Sequence, residues 1–406
     1  MKASPFRRCL IRLGFSVGAG SALIVGFNLV VNPYGIWNVP SIVGFNADKP
    51  AERDNEMLLK PTQVARLKPT ILFLGSSRVD LGLDPQHRAF RDQGGAYNLA
   101  LVGGFMHPML EYYRYALKAQ PAVRQVLIGL DFFSFNENNI TPLAFAEDRL
   151  RGGGLDLSDV GSTLMSRDAV LDSFRTVIAN IRHPEYRAYR DDGMSDDGDM
   201  RRLAEKMGMP SRFNESVALY LNSAGRYASF KFSKDAMNDF AAIVKLSRDH
   251  GVDLRVFIPP EHVALLESIR LRGLLCVYWR WKAEVAALTS FWDFSGYNSI
   301  TTEPIGANMK FYWDASHFRS SIGDLLIDRI YGINDPALPD DFGKLISADT
   351  LPAWMAYTAQ RQQKWEASHL NVIEWVRARA VPPVSASAAT KVEAPDCSVS
   401  VSSGYE

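Results

Sequence analysis

The chain has 406 residues, 47% of them apolar and 22% charged, with 45 basic and 45 acidic side chains. That is an ordinary globular balance, long enough for one large domain or two smaller ones, and it excludes a disordered chain or one embedded wholly in membrane. Zero formal charge removes the electrostatic case for nucleic acid as a partner, and three scattered cysteines, Cys9, Cys276 and Cys397, show no metal-ligand spacing and no readable disulfide framework.

Residues 1–12 form a basic tip with Lys2, Arg7, Arg8 and Arg12, followed by an uncharged run over 13–31. The run is about as long as a bilayer crossing needs. No Lys or Arg recurs until Lys49, which predicts a cytoplasmic amino terminus with the remaining chain across the membrane. A cleaved signal peptide and a buried core helix are the competing readings. The run ends in Phe27-Asn28-Leu29-Val30-Val31-Asn32-Pro33 without a small-x-small border, which favours an uncleaved anchor.

A connector punctuated by Pro, Asn and Gly spans 32–68, with a short helix expected near 55–65. A buried strand is expected at Thr70–Leu74, ending in Gly75-Ser76-Ser77-Arg78. Further strands are expected at Ala96–Leu99, Gln125–Leu130 and Leu254–Ile258. Apolar residues at helical spacing over Pro108–Ala119 separate the second and third strands. This alternation predicts an α/β fold built on a parallel sheet with helices on both faces. Residues 145–238 carry no strand pattern and read as a helical insertion placed to cap a site. The α/β domain is expected to run over 69–335, followed by a helical extension over 336–378 and a disordered tail over 379–406.

Gly75-Ser76-Ser77 stands at the carboxyl end of the first strand, where open α/β sheets bind ligands. A serine there is either a helix cap or a nucleophile beside backbone N–H donors. Near the end of the expected domain, Tyr312-Trp313-Asp314-Ala315-Ser316-His317-Phe318 puts a carboxylate three residues before an imidazole. That spacing lets Asp314 hold one ring nitrogen of His317 while the other faces a serine hydroxyl. Alone, each element is more often structural; the pair, in this chain order, points to nucleophilic catalysis.

The order and spacing resemble the SGNH (GDSL-type) hydrolase superfamily, with Gly75-Ser76-Ser77 as the first block and Asp314 and His317 as the last. The Gly-Ser-Ser form is similar to extracytoplasmic relatives that move acyl groups on cell-wall polymers and exopolysaccharides. Asn32–Trp37, Gly129–Phe135 and Trp292–Tyr297 further resemble a family of uncharacterised bacterial membrane proteins. The likeness covers about residues 13–332.

It implies a flavodoxin-like three-layer sandwich with Ser77, Asp314 and His317 as catalytic residues. Oxyanion donors would be the N–H groups of Ser77 and Ala100. Asp131 falls where an Asn donor is expected, and an ionised carboxylate there would repel an oxyanion. Either burial protonates Asp131, or it has another role, or Asn136 or Asn138 supplies the donor.

Arg78 is a candidate for gripping an anionic substrate or for an ion pair with Asp80 or Asp131. His262 lies beyond a strand end and reads as a pocket residue or a hydrogen-bonded structural one. Aromatics around Tyr278–Trp281 and Phe291–Trp292 read as core or as a carbohydrate groove. The implied activity is acyl or acetyl transfer, or ester hydrolysis, on a cell-surface glycan at the bacterial inner membrane, with the main domain periplasmic. No metal or cofactor is called for, and a membrane-bound acyltransferase is a possible partner. The alternative is a catalytically weak or inactive member of such an assembly.

Overall fold

The computed structural model describes residues 5–183 and 187–381, so most of the expected tail lies outside the described residues. The chain runs α1 (Pro5–Val31), α2 (Glu56–Leu67), β1 (Ile71–Leu74), α3 (Ser77–Gly82), β2 (Ala96–Asn98), α4 (Met106–Ala119) and β3 (Gln125–Gly129). Five helices follow: α5 (Glu147–Gly152), α6 (Leu157–Met165), α7 (Arg167–Arg182), α8 (Gly198–Met207) and α9 (Met209–Asn222). Then come α10 (Lys234–Asp249), β4 (Asp253–Ile258), α11 (Val263–Leu271), α12 (Leu275–Leu288), β5 (Phe291–Asp293) and α13 (Ser320–Tyr331). The last elements are β6 (Lys344–Ile346), α14 (Leu351–Glu366) and α15 (Leu370–Arg377).

The fold is α/β. Its six strands lie in the order β2-β1-β3-β4-β5-β6, parallel except for β6, which runs antiparallel to β5. From β1 the chain crosses one way to β2, then returns past β1 to β3 and continues in that direction. With right-handed crossovers, this reversal puts α3 on one face and α4, α10 and α12 on the other. Packing agrees: α10 touches α4 and α12, whereas α13 touches α3. The reversal point lies between β1 and β3, and the crevice beyond their carboxyl ends is where such sheets place ligands.

β1 and β3 are buried along their whole length, and β4 over its carboxyl half. Ile71-Leu72-Phe73-Leu74 and Val126-Leu127-Ile128 are fully covered, and Leu74 pairs in register with Ile128. β5 and β6, of three residues each, were not expected from the sequence. The helical extension expected over 336–378 holds β6 and two helices, α14 and α15, separated at Ala367-Ser368-His369.

Two compact units divide the chain. One comprises residues up to 67 together with 146–190; the other comprises 68–145 and the chain from 191 onward. The helical insertion expected over 145–238 is therefore split, with α5–α7 in the first unit and α8 and α9 in the second.

In the first unit, α1 is long and apolar enough to cross a membrane, with mean hydropathy 1.7 over its best window. Asn32 ends it in the left-handed region (φ 52°), and its side chain exchanges hydrogen bonds with the backbone of Trp37. Asn46 adds a bond to the Val30 carbonyl, satisfying an orphan acceptor of the last turn. The apolar core of this unit is thin, formed by groups such as Tyr34, Ile36, Leu58 and Ala169.

Candidate active site

The site is assembled wholly within the second unit. Ser76 is the N-cap of α3: its Oγ accepts from the Arg78 N–H at 3.2 Å, and its carbonyl accepts from Val79 and Asp80. Capping is thus done by Ser76, which leaves the next hydroxyl, Ser77 Oγ, for other work. Gly75 makes the turn possible, because a Cβ there would lie 2.3 Å from the Val79 side chain.

Ser77 Oγ lies 2.9 Å from His317 Nε2. His317 Nδ1 lies 3.0 and 2.9 Å from the two oxygens of Asp314. The carboxylate facing Nδ1 assigns the ring proton to that nitrogen, so Nε2 presents a lone pair to the serine. The sequence places Asp314 and His317 in a tight turn closed by an antiparallel bridge between Tyr312 and Phe318. Within it, Asp314 Oδ1 also accepts from the N–H groups of Ser316 (2.8 Å) and His317 (2.9 Å). One carboxylate therefore shapes the turn and orients the imidazole.

Asp314 is buried, which alone would raise its pKa; the His317 ring and the hydrogen bonds from it and from the Ser316 and His317 N–H groups outweigh burial and hold it at about 2. Ser77 and His317 are partly exposed, whereas Asp314 is covered. The Ser77–His317 pair is therefore reachable from solvent, while the Asp314 carboxylate is shielded.

A close backbone approach joins the two halves. Gly82, at the end of α3, and Gly323, in α13, meet so tightly that a Cβ on Gly323 would lie 1.8 Å from the Gly82 carbonyl oxygen. This contact fixes the helix that begins at Ser77 against the helix that follows His317.

Arg212, on α9, was missed by sequence reasoning. Its guanidinium donates to Asp314 Oδ2 at 3.0 Å and to the Trp313 carbonyl at 2.8 Å. The available signal is a cation within the buried stripe of α9, which runs Met209, Arg212, Phe213, Val217, Tyr220 and Leu221. A charge on a core-facing stripe is costly unless paired.

Arg78 is buried rather than presented to a ligand. It donates to Asp131 Oδ1 at 2.6 Å, to Ser316 Oγ at 3.0 Å and to the Tyr220 hydroxyl at 3.2 Å, and it pairs with Glu261 at 2.9 Å. Burial works against its charge, but Tyr220, Asp131 and Glu261 overcome it and keep the guanidinium protonated. Of the roles open to Arg78 in the sequence, the ion pair with Asp131 is the one seen. Glu261 and Tyr220 are further members of this group that the sequence reading did not assign.

The remaining candidates are engaged with other partners. Asp131 Oδ1 accepts from Arg78, and its buried Oδ2 meets no hydrogen-bond partner among the described residues. The Ala100 N–H points to Asn98 Oδ1 at 3.2 Å. Asn136 spends its amide on the carbonyls of Ala224 and Arg226 and accepts from the N–H groups of Asn138 and Lys231, a structural role. Asn138 bonds the Ser229 carbonyl through its side chain.

His262 is a buried N-cap of α11. Its Nδ1 accepts from Ala264 N–H and its Nε2 donates to the Glu303 carbonyl at 2.8 Å, with its pKa pushed down by burial to about 4. It is a hydrogen-bonded structural residue. Tyr278, Trp281 and Phe291 belong to the core, although Tyr278 and Trp279 also line a cavity of about 220 Å³ between α12 and α14. The Ser77 N–H is the first of α3, one of the helix-start donors that have no intrahelical partner.

Comparison with protein-family models and with curated proteins finds no match for this chain.

Proposed function

We propose that this protein is a membrane-anchored, extracytoplasmic acyl or acetyl transferase or esterase of the SGNH type, acting on a cell-surface glycan through an acyl-serine intermediate. The observation that carries the reading is the continuous hydrogen-bond chain Ser77 Oγ to His317 Nε2 and His317 Nδ1 to Asp314. The strand order 2-1-3-4-5 of the parallel part matches the flavodoxin-like arrangement expected of that superfamily. The apolar α1 supports the anchor, which would tether the domain where membrane-borne acyl donors and nascent polymers are found.

In the proposed reaction Ser77 Oγ attacks the acyl carbonyl while His317 Nε2 takes its proton. Asp314 stabilises the imidazolium, and the Ser77 N–H meets the developing oxyanion. Collapse expels the donor alcohol, which receives the proton from His317. An acceptor hydroxyl, or water in the hydrolytic case, then gives its proton to His317 and attacks the acyl-serine, releasing the ester or acid and restoring Ser77. Incubation with an activated acetyl ester followed by peptide mapping tests this: an acetyl group on Ser77 supports it, and a folded protein that acquires none there contradicts it.

A second reading rests on the thin oxyanion hole, since the Ala100 N–H faces Asn98 and Asp131 faces Arg78. Loss of one donor typically costs about 10²–10³ in rate. In this reading the chain is a weak or inactive partner of a membrane acyltransferase or export complex. A cellular phenotype retained by the Ser77→Ala, His317→Ala double variant would favour it.

A further inference from the structure

Helix α7 is inside out. Its buried face carries Ala169, Ser173, Thr176 and Asn180, small or polar residues at helical spacing. Its opposite face carries Leu171, Phe174, Ile178 and Ile181, which are 40%, 55%, 47% and 69% exposed. A helix on a water-facing surface has the reverse pattern. α6 shows the pattern in part, with Asp159 and Thr163 buried beside Leu164, and Leu157 and Met165 exposed.

The polar face of α7 is held by specific bonds. Asn28, near the end of α1, donates to the Leu164 carbonyl at 2.9 Å and accepts from Ser173 Oγ at 2.8 Å. Asn180 exchanges hydrogen bonds with the backbone of Asp48, and Tyr34 donates to Asp172 at 3.0 Å. These contacts fix α7 beside the last turns of α1. There Phe27 of α1 and Phe174 of α7 meet, ring centroids 5.0 Å apart, so the apolar surface of one helix continues onto the other. Arg167, Arg175 and Arg182 are exposed along the helix, with Asp168 exposed and Asp172 drawn to Arg175 and Tyr34.

We propose that α7 lies in the headgroup and upper acyl region of the membrane leaflet at which α1 ends, with Leu171, Phe174, Ile178 and Ile181 facing lipid. This rests on the reading that α1 spans the bilayer. A single convex helix face offers no groove for a protein segment. Its flanking arginines suit lipid phosphates, with their stems lying along the apolar stripe. At about 24 Å long, α7 is too short to cross the hydrocarbon core, so it fits an in-plane helix rather than a second span. Phe27 and Asn28 lie one turn before α1 ends, the depth at which such a helix would sit.

The test uses the full-length chain in phosphatidylcholine–phosphatidylglycerol vesicles, with a benzophenone amino acid replacing Val17, Phe174, Ile178 or Lys245 in separate samples. Lys245 is exposed on α10 and serves as the reference. After irradiation, the yield of chain carrying the mass of one lipid is read. Several-fold higher yield at Val17, Phe174 and Ile178 than at Lys245 supports the proposal. High yield at Val17 with Phe174 and Ile178 at the Lys245 level overturns it and leaves the anchor intact. No lipid adduct at Val17 overturns the anchor reading and the proposal with it. Adducts at Ile178 to a second protein chain, in place of lipid, assign the face to a protein contact and also overturn it.

Discussion

Arg212 and Asp314 meet at 3.0 Å although they are 102 positions apart in the chain, and the same guanidinium holds the Trp313 carbonyl at 2.8 Å. Arg212 is a positioning residue, because it touches the acid of the site rather than its reacting atoms. Replacing it by Leu removes a buried cation from a buried carboxylate and frees the turn around His317. Turnover is expected to fall by roughly 10–100-fold with KM little changed, as for loss of an orienting partner. Partial recovery in Arg212→Lys would separate this role from loss of folding. A change confined to KM would contradict it.

The Gly82 and Gly323 contact gives a second expectation. Gly323→Ala sets a methyl against a backbone carbonyl, which cannot move aside without shifting α3 or α13. Overpacking of this kind costs about 1–3 kcal/mol. Chemical denaturation should show that loss together with a drop in Ser77 reactivity larger than for an Ala substitution at Gly161, where a Cβ would meet nothing nearby. Equal effects at the two positions would contradict the claim that this approach holds the site.

Arg78→Met strands two buried carboxylates, Asp131 and Glu261. Breaking a buried pair by removing one partner costs about 3–5 kcal/mol. The expected result is a large fall in stability, read by denaturant titration. An unchanged stability with a raised KM would restore the substrate-binding role that the sequence left open.

Acid sensitivity should come in two windows. His262 is neutral in the native state, with its pKa near 4 against an ordinary 6.5, so unfolding takes up a proton as pH falls below 6.5. Stability is therefore lost between pH 6.5 and 4, amounting to about 2 kcal/mol at pH 5. Asp314, held near 2, contributes stability that is present above pH 4 and lost as pH falls toward 2, again about 2 kcal/mol. The variant His262→Asn should flatten the melting temperature between pH 7 and 5. An unaltered slope would show that another group titrates there.

The residues that read clearly in the sequence are those whose burial leaves a local mark. β1 is a continuous apolar run, β3 is one over Val126–Ile128 and β4 over Val256–Ile258, and α4 shows a stripe of Met109, Tyr112, Tyr113 and Ala116. Ser77, Asp314 and His317 stood out because their chemistry is confined to short blocks. β5 and β6 did not, since three residues cannot display a period. Arg212 and Glu261 gain meaning only from partners supplied by distant elements. α7 shows a strong periodic pattern in the sequence, yet the pattern does not tell which face is covered; the polar bonds of Asn28, Ser173 and Asn180 decide that.

The central claim is tested most directly by an alkyl fluorophosphonate probe, which needs an activated serine and no knowledge of the substrate. The account predicts covalent labelling of the full-length protein at Ser77, lost in Ser77→Ala and reduced by roughly 10³–10⁴ in Asp314→Asn. A folded wild-type protein that takes no label, or labelling that persists in Ser77→Ala, would contradict it.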